Sequence, residues 1–346
     1  MKAMISPDTT IKEVVERHPG AEKVFGAHGL PCAGCHVSAR ETIREGAGVH
    51  HLDLDALLRD LSRFINDGTV PPAQARAGAH AKAPPMEKQH KPGIDRVVAV
   101  MSGKGGVGKS LVTGLLAVAL QRAGFRVGVL DADITGPSMA RLFGVTARPY
   151  QGTDGKPHPP NSRSGIQIMS MNLILEDEAQ AVIWRGPMVS TAIRQFYSDL
   201  EWGTLDYLLI DLPPGTSDAP LTVLQALPVS GVVLVSTPQG LATMIVSKAI
   251  KLVKQLGAPI IGLVENMSYF LDPQTGRRHE LFGASKGVQL VVESGAPLLA
   301  QLAIDPALTQ LCDAGRIEEY HSGDYETLVK NFVTVLPALS TAAAAR

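Results

Sequence analysis

One nine-residue stretch, SGKGGVGKS at residues 102–110, limits what this chain can fold into more than any other. It follows the apolar run RVVAVMS and satisfies Gly-x-x-x-x-Gly-Lys-Ser through Gly103, Gly108, Lys109 and Ser110. Glycine is needed there because backbone amides must close around a phosphate, and a side chain would block that approach. A helix beginning near Lys109 adds its positive end. On this reading Lys109 reaches the outer phosphates of a nucleotide and Ser110 is a ligand of Mg²⁺. Gly103, Lys104, Gly105, Gly106, Val107, Gly108, Lys109, Ser110 and Leu111 together form the nucleotide-binding run. The alternative is a glycine-rich turn between strand and helix that binds nothing.

Such a loop demands an α/β domain, and the residues beyond it have the right pattern. The runs VGVLDAD, IQIMS, YLLIDLP, GVVLVST, PIIGLVEN and LLAQLAI are short, β-branched and separated by helical segments. They are continuously apolar instead of alternating, as expected of strands buried on both faces of a parallel sheet. The fold class expected is α/β, a doubly wound and mostly parallel sheet, preceded by a small all-α domain. Ligands of such sheets bind at the carboxyl ends of the strands.

Two carboxylate motifs fall at those ends. VLDADITGPS carries Asp131 and Asp133, and YLLIDLPPGTSD carries Asp211. Asp211 is expected to hold Mg²⁺ through its water shell, because Mg²⁺ takes few protein ligands. Asp133 is the candidate for orienting the attacking water. Either carboxylate could instead cap the helix that follows.

At 346 residues the chain exceeds one ordinary domain. Residues 1–66 read as a helical unit: Thr10 and Glu13 suggest a capping box, and Leu54, Leu57, Leu58, Leu61 and Ile65 follow Asp53 at helical spacing. Residues 67–93 are rich in Pro, Ala, Gly, Lys and His without apolar period and read as a linker. The ATPase unit is expected over 94–340, with a tail at 341–346.

Between the expected helices lies GLPCAGC. Three cysteines are too few for a disulfide framework, so Cys32 and Cys35 read as ligand or redox chemistry, with zinc, a cluster or a reversible disulfide all open. A four-coordinate metal would need His36 and a further group, or a second subunit. His18, His28, His50 and His51 read as isolated surface histidines, and Cys312 as an inert thiol.

The Lys104-containing form of the loop resembles the deviant Walker A ATPases, which include MinD and the nitrogenase iron protein. Within that class DADITGPS, WRGPM, DLPPGTSD, STPQ and ENMSYF, in this order, closely resemble Mrp-type iron–sulfur cluster carriers. The resemblance runs from about Ile94 to Ile317. It implies a homodimer with two ATP molecules at its interface, Lys104 of each subunit touching phosphates held by the other. It implies that Asn266 contacts adenine, and that the partners are apo iron–sulfur client proteins or a scaffold. Carriers of this type place Cys-x-x-Cys soon after ENMSYF, but this chain has Asp272 and Thr275 there, and neither supplies a thiolate. The N-terminal segment resembles a helical redox-disulfide module associated with hybrid-cluster proteins, which makes Cys32 and Cys35 the candidates for any cluster.

A formal net charge of -1 offers nothing that points to nucleic acid. The first twenty residues lack an apolar core of signal-peptide length, and no run reaches the roughly eighteen apolar residues of a membrane span, so a cytoplasmic location is expected. Two other functions compete. A MinD- or ParA-like positioning ATPase needs a basic amphipathic tail or face, and the C-terminal LVKNFVTVLPALSTAAAAR is interrupted by Pro337 and nearly uncharged. An ATP-coupled redox protein would have to use the N-terminal thiols.

Overall fold

A computed structural model describes residues 5–28, 30, 41–49, 52–70, 88, 90–175, 186–216 and 218–336. Cys32, Cys35, Trp184 and Arg185 lie outside the described residues. Contacts divide the chain into two compact units, Met1–Pro84 and Pro85–Arg346.

The first unit contains α1 (Ile11–Arg17), α2 (Glu22–Ala27), α3 (Ile43–Val49) and α4 (Leu54–Asp67). Ile11, Val14, Val24, Phe25, Leu30, Ile43, Leu57 and Leu61 close its core. Thr10 caps α1 as expected, accepting from the Glu13 amide at 3.3 Å. The return arm differs from expectation, because the Glu13 carboxylate pairs with Arg17 at 2.7 Å, one helical turn on. The reciprocal box forms instead at α3, where Thr42 Oγ1 accepts from the Glu45 amide and Glu45 Oε2 accepts from the Thr42 amide at 2.9 Å. Asp53 caps α4 through the Ala56 amide. His28 is not an isolated surface histidine: its side chain is 11% exposed and Nε2 lies 2.9 Å from Asp60 Oδ2.

In the second unit the strands are β1 (Val97–Ser102), β2 (Val127–Asp131), β3 (Tyr150–Gln151), β4 (Pro157–His158), β5 (Gln167–Met169), β6 (Tyr207–Asp211), β7 (Val229–Ser236), β8 (Ile260–Leu271), β9 (Arg278–His279) and β10 (Leu298–Ile304). The main sheet runs β10-β8-β7-β1-β6-β2-β5, all parallel, with β9 added antiparallel to β8. Every apolar run expected to be a strand contributes one.

Helices α5 (Lys109–Arg122), α6 (Met139–Leu142), α7 (Gly186–Ser198), α8 (Asp218–Ala226), α9 (Gly240–Gln255), α10 (Gly287–Ser294), α11 (Pro306–Asp313) and α12 (Gly323–Val335) cover the two faces. Along β1, Val98 and Val100 enter the core formed with α5, α6, α11 and α12, while Val97, Ala99 and Met101 enter the one formed with α7, α8, α9 and α10. All six β1 residues are buried, which accounts for the continuous apolar run. Strand β1 lies between β6 and β7, where the order along the sheet reverses, and its carboxyl end is the switch point at which such sheets bind ligands.

Ahead of β1 the chain is pinned. Lys91 Nζ donates to the carbonyls of Ser198, at 2.6 Å, and Leu200, at the C-terminal end of α7, and the Lys91 amide donates to Tyr197 Oη.

Candidate functional site

The loop Gly103–Gly108 leaves β1 and enters α5 as the sequence pattern requires. Gly106 and Gly108 have φ of 79° and 78°, a left-handed conformation that favours glycine. A Cβ at Gly103 would stand 2.6 Å from the backbone of Ile245 and Val246, and one at Gly108 would stand 2.2 Å from Asn266 Nδ2. Gly105 and Gly106 are exposed, so their backbone faces solvent, while Val107 is buried and anchors the loop between them and α5. Leu111 is half-buried on the first turn of α5. The loop is closed to added side chains at its two ends, Gly103 and Gly108, while Gly105 and Gly106 between them lie open to solvent.

Beneath the cradle sits a compact charged cluster. Lys109 Nζ is 2.6 Å from Asp211 Oδ2 and 3.0 Å from Ser110 Oγ, and Ser110 Oγ donates to the same carboxylate at 2.6 Å. Thr113 donates to Asp211 Oδ1 at 2.6 Å. Lys109 is 6% exposed and Asp211 is fully buried, so the ion pair is shielded from water. The adjacent hydroxyl and carboxylate are hard oxygen donors of the kind Mg²⁺ selects, and the residues present fit that ion.

Asp131 pairs with Asp211 in the parallel register of β2 and β6, which places two buried carboxylates side by side. Asp131 Oδ2 accepts from the amides of Ser138 and Met139 and from Ser170 Oγ. Its pKa is raised to about 7, chiefly by burial and next by the charge of Asp211, against the pull of the two amides and Lys109. Among the described residues the Asp133 carboxylate accepts from Thr135 Oγ1 and the Gly136 amide of its own turn, and the Asp133 amide donates to Asp131 Oδ1 at 3.2 Å.

Asn266, at the carboxyl end of β8's buried stretch, donates through Nδ2 to the Val107 carbonyl at 2.9 Å, which joins it to the loop. Lys104 Nζ donates to Gln239 Oε1 at 2.8 Å, so the STPQ segment supports it within the same chain. Asp272 and Thr275 occupy the turn between β8 and β9, where Asp272 accepts from the amides of Gln274 and Thr275, and these hydrogen bonds hold its carboxyl below the usual range. Cys312 is half-buried on α11; burial, and then Asp313, push its thiol up to about 11, which keeps it protonated. Among the described residues no group of three or more His, Cys, Asp or Glu is arranged for a metal ion, and no helix is long and apolar enough to cross a membrane.

Sequence reasoning passed over Thr113, met Gln239 only as the last residue of the STPQ motif without linking it to Lys104, and gave Asp131 no role. Thr113 was within reach, since it lies four residues after Lys109 on one helical face.

Residues 93–336 match the family described as ParA, NUBPL iron-transfer P-loop NTPase, and residues 5–58 match DUF1858, a domain of unknown function. An iron-sulfur cluster carrier protein of Clostridium perfringens is 45% identical over 234 residues, covering 66% of this chain and 82% of that protein. The cytosolic Fe-S cluster assembly factor CFD1 of Kluyveromyces lactis is 41% identical over 227 residues, covering 64% and 80%. Among solved structures, a nucleotide-binding protein of Archaeoglobus fulgidus in complex with ADP superposes with a TM-score of 0.60 at 44% identity, over 67% of this chain and 90% of that one. The cell division ATPase MinD of Pyrococcus furiosus, at 22% identity and a TM-score of 0.52 over 70% and 99%, shares the fold alone. With its phosphate cradle, buried Lys109–Asp211 pair and a match over more than two hundred residues, the chain belongs to the NUBPL-type iron-transfer P-loop NTPases.

Proposed function

We propose that this protein binds and hydrolyses ATP in order to assemble or transfer iron–sulfur clusters, acting as a nucleotide-gated homodimer on apo client proteins in the cytoplasm. The observation that carries the ATPase reading is the convergence of Lys109, Ser110 and Asp211 under a left-handed glycine loop. The family match and the named cluster carriers among the relatives support the cargo.

Phosphoryl transfer depends mainly on positioning and on neutralising charge. In this reading the amides from Gly103 to Leu111 hold the phosphates, Lys109 shifts its charge from Asp211 to them, and Asn266 fixes the loop and meets the base. Ser110 and Asp211 would hold Mg²⁺, which supplies charge neutralisation at the phosphates. Asp133 sits on a turn beyond β2 from which it would orient water, and Lys104 would extend to phosphates of a second subunit once released from Gln239. Lys104→Ala is accordingly expected to weaken ATP-dependent self-association while leaving ADP affinity near wild type. Sedimentation velocity with a non-hydrolysable ATP analogue measures this, and an unchanged ATP-induced dimer in the variant would remove the role.

The cargo is assigned to the helical unit at 1–66, joined through 67–93 to the ATPase unit at 94–340. Thiolate suits soft metal and clusters, whereas Asp272 offers a carboxylate that accepts from the Gln274 and Thr275 amides and Thr275 a hydroxyl that accepts from the Arg277 amide. Cys32→Ser with Cys35→Ser is expected to abolish iron and acid-labile sulfide retained after anaerobic loading, while ATP hydrolysis survives. Stoichiometric cluster in the double variant would place the cargo elsewhere.

A further inference from the structure

A second buried carboxylate ringed by donors is Glu265, one residue before Asn266. It is 1% exposed. Oε2 accepts from Ser268 Oγ at 2.6 Å and Gln301 Nε2 at 2.9 Å, and Oε1 accepts from the Lys286 amide at 2.8 Å. Burial alone would raise its pKa, but the donors of Ser268, Gln301, Ser285 and the Lys286 backbone hold it below the usual carboxylate range. An ionised carboxylate is thus fixed inside the protein by three separate segments: β8 itself, β10 and the start of α10.

The strand around it is irregular. Glu265 pairs with Gln301 and Tyr269 with Ala303, so four steps along β8 match two along β10. The surplus residues bulge at Asn266–Ser268. Met267, in the bulge, has φ of 53° and is the one non-glycine residue with positive φ among the described residues. Such a conformation persists only where its surroundings hold it. The bulge aims Asn266 at the phosphate loop, where Nδ2 takes the Val107 carbonyl and fills the space a Cβ on Gly108 would need.

We propose that Glu265 is a positioning residue for nucleotide binding: by gripping Ser268 across the bulge, and Gln301 and Lys286 behind it, its carboxylate keeps the Asn266 amide on the phosphate loop. The inference rests on the reading of Asn266 and the loop as nucleotide-binding residues. It acts through Asn266, and Lys109, Ser110 and Asp211 keep their own hydrogen bonds without it.

The test is a double-mutant cycle on the full chain, with Mg²⁺ present and ADP binding read by calorimetry. Glu265→Gln keeps the shape but turns one acceptor into a donor facing donors. It is expected to weaken ADP binding roughly tenfold, the scale of one lost charge-assisted hydrogen bond. The loss appears in KM for ATP, with kcat changed by less than about twofold, as for an interaction made equally in ground and transition states. In an Asn266→Ala background the same substitution is expected to cost nothing further. Ser268→Ala removes a single donor and gives a smaller loss, also absent in that background, and it carries the cycle if Glu265→Gln does not fold. Additive losses, or a Glu265→Gln protein with wild-type ADP affinity, overturn the role of Glu265 while leaving Asn266 in the site. Wild-type ADP affinity in Asn266→Ala alone would instead remove Asn266 from the site, and Glu265 with it.

Discussion

Lys109→Ala is expected to lower ATP hydrolysis by about a hundredfold to a thousandfold, the scale of removing one preorganised donor from developing charge. Its ammonium already stands 2.6 Å from the Asp211 carboxylate and 3.0 Å from Ser110 Oγ, at the point where the glycine loop becomes α5. The same substitution strips a buried carboxylate of its counter-charge, next to a second one at Asp131. Breaking a buried ion pair by removing one member costs about 3–5 kcal/mol. Two measurements therefore separate its roles: phosphate release under saturating Mg²⁺ and ATP, and the thermal midpoint without nucleotide. Wild-type turnover in the variant would take Lys109 out of the reaction, and an unchanged midpoint would show that the pair adds nothing net to the fold.

Asp131→Asn is expected to flatten the loss of stability that accompanies a rise in pH through about 7. In the folded chain the Asp131 carboxyl keeps its proton up to about 7, because it is fully buried and faces Asp211. In the unfolded chain it ionises near the ordinary aspartate value of about 3.9. Between those two values the folded state binds the extra proton, so raising pH favours unfolding. This contribution is complete below the unfolded value and gone above the folded one. Asparagine cannot ionise and keeps one oxygen for the amides of Ser138 and Met139 and for Ser170. Urea midpoints of both proteins between about pH 5 and about pH 8 should converge at the acid end and separate in favour of the variant at the alkaline end, by an amount on the order of a few kcal/mol at most. Parallel curves would mean that Asp131 is already ionised in the native protein.

The parts of the site that follow from local chain geometry were legible in the sequence. Gly103, Gly108, Lys109 and Ser110 form one contiguous loop whose turn and helix start are local, and the strands announce themselves because burial on both faces leaves no polar alternation, as in Val97–Ser102. What depends on pairing between distant segments was not legible. Asp131 and Asp211 become neighbours only because β2 lies beside β6 in one particular register, and neither run carries a mark of that register. The bulge at Asn266–Ser268 is likewise hidden, since ENMS reads as the end of a strand until β10 is set against it. Competition between equivalent partners misled the reading of Glu13, whose carboxylate had both Thr10 and Arg17 within a turn and took the cation. His28 looked solitary because Asp60 is supplied by another helix, thirty-two residues away.

The pinning of Lys91 has a mechanical consequence. Any pull transmitted along the chain from upstream of residue 91 meets the carbonyls of Ser198 and Leu200 and the hydroxyl of Tyr197 before it reaches the sheet. Two further grips follow, with the Leu205 amide on the Gly93 carbonyl and the Asp95 amide on the Leu205 carbonyl. These contacts tie the chain to the last turn of α7 and to the segment that leads into β6 before β1 begins, the strand whose far end becomes the phosphate loop. A chain clamped in this way has five hydrogen bonds to break before a pull from upstream reaches the strand on which nucleotide chemistry depends.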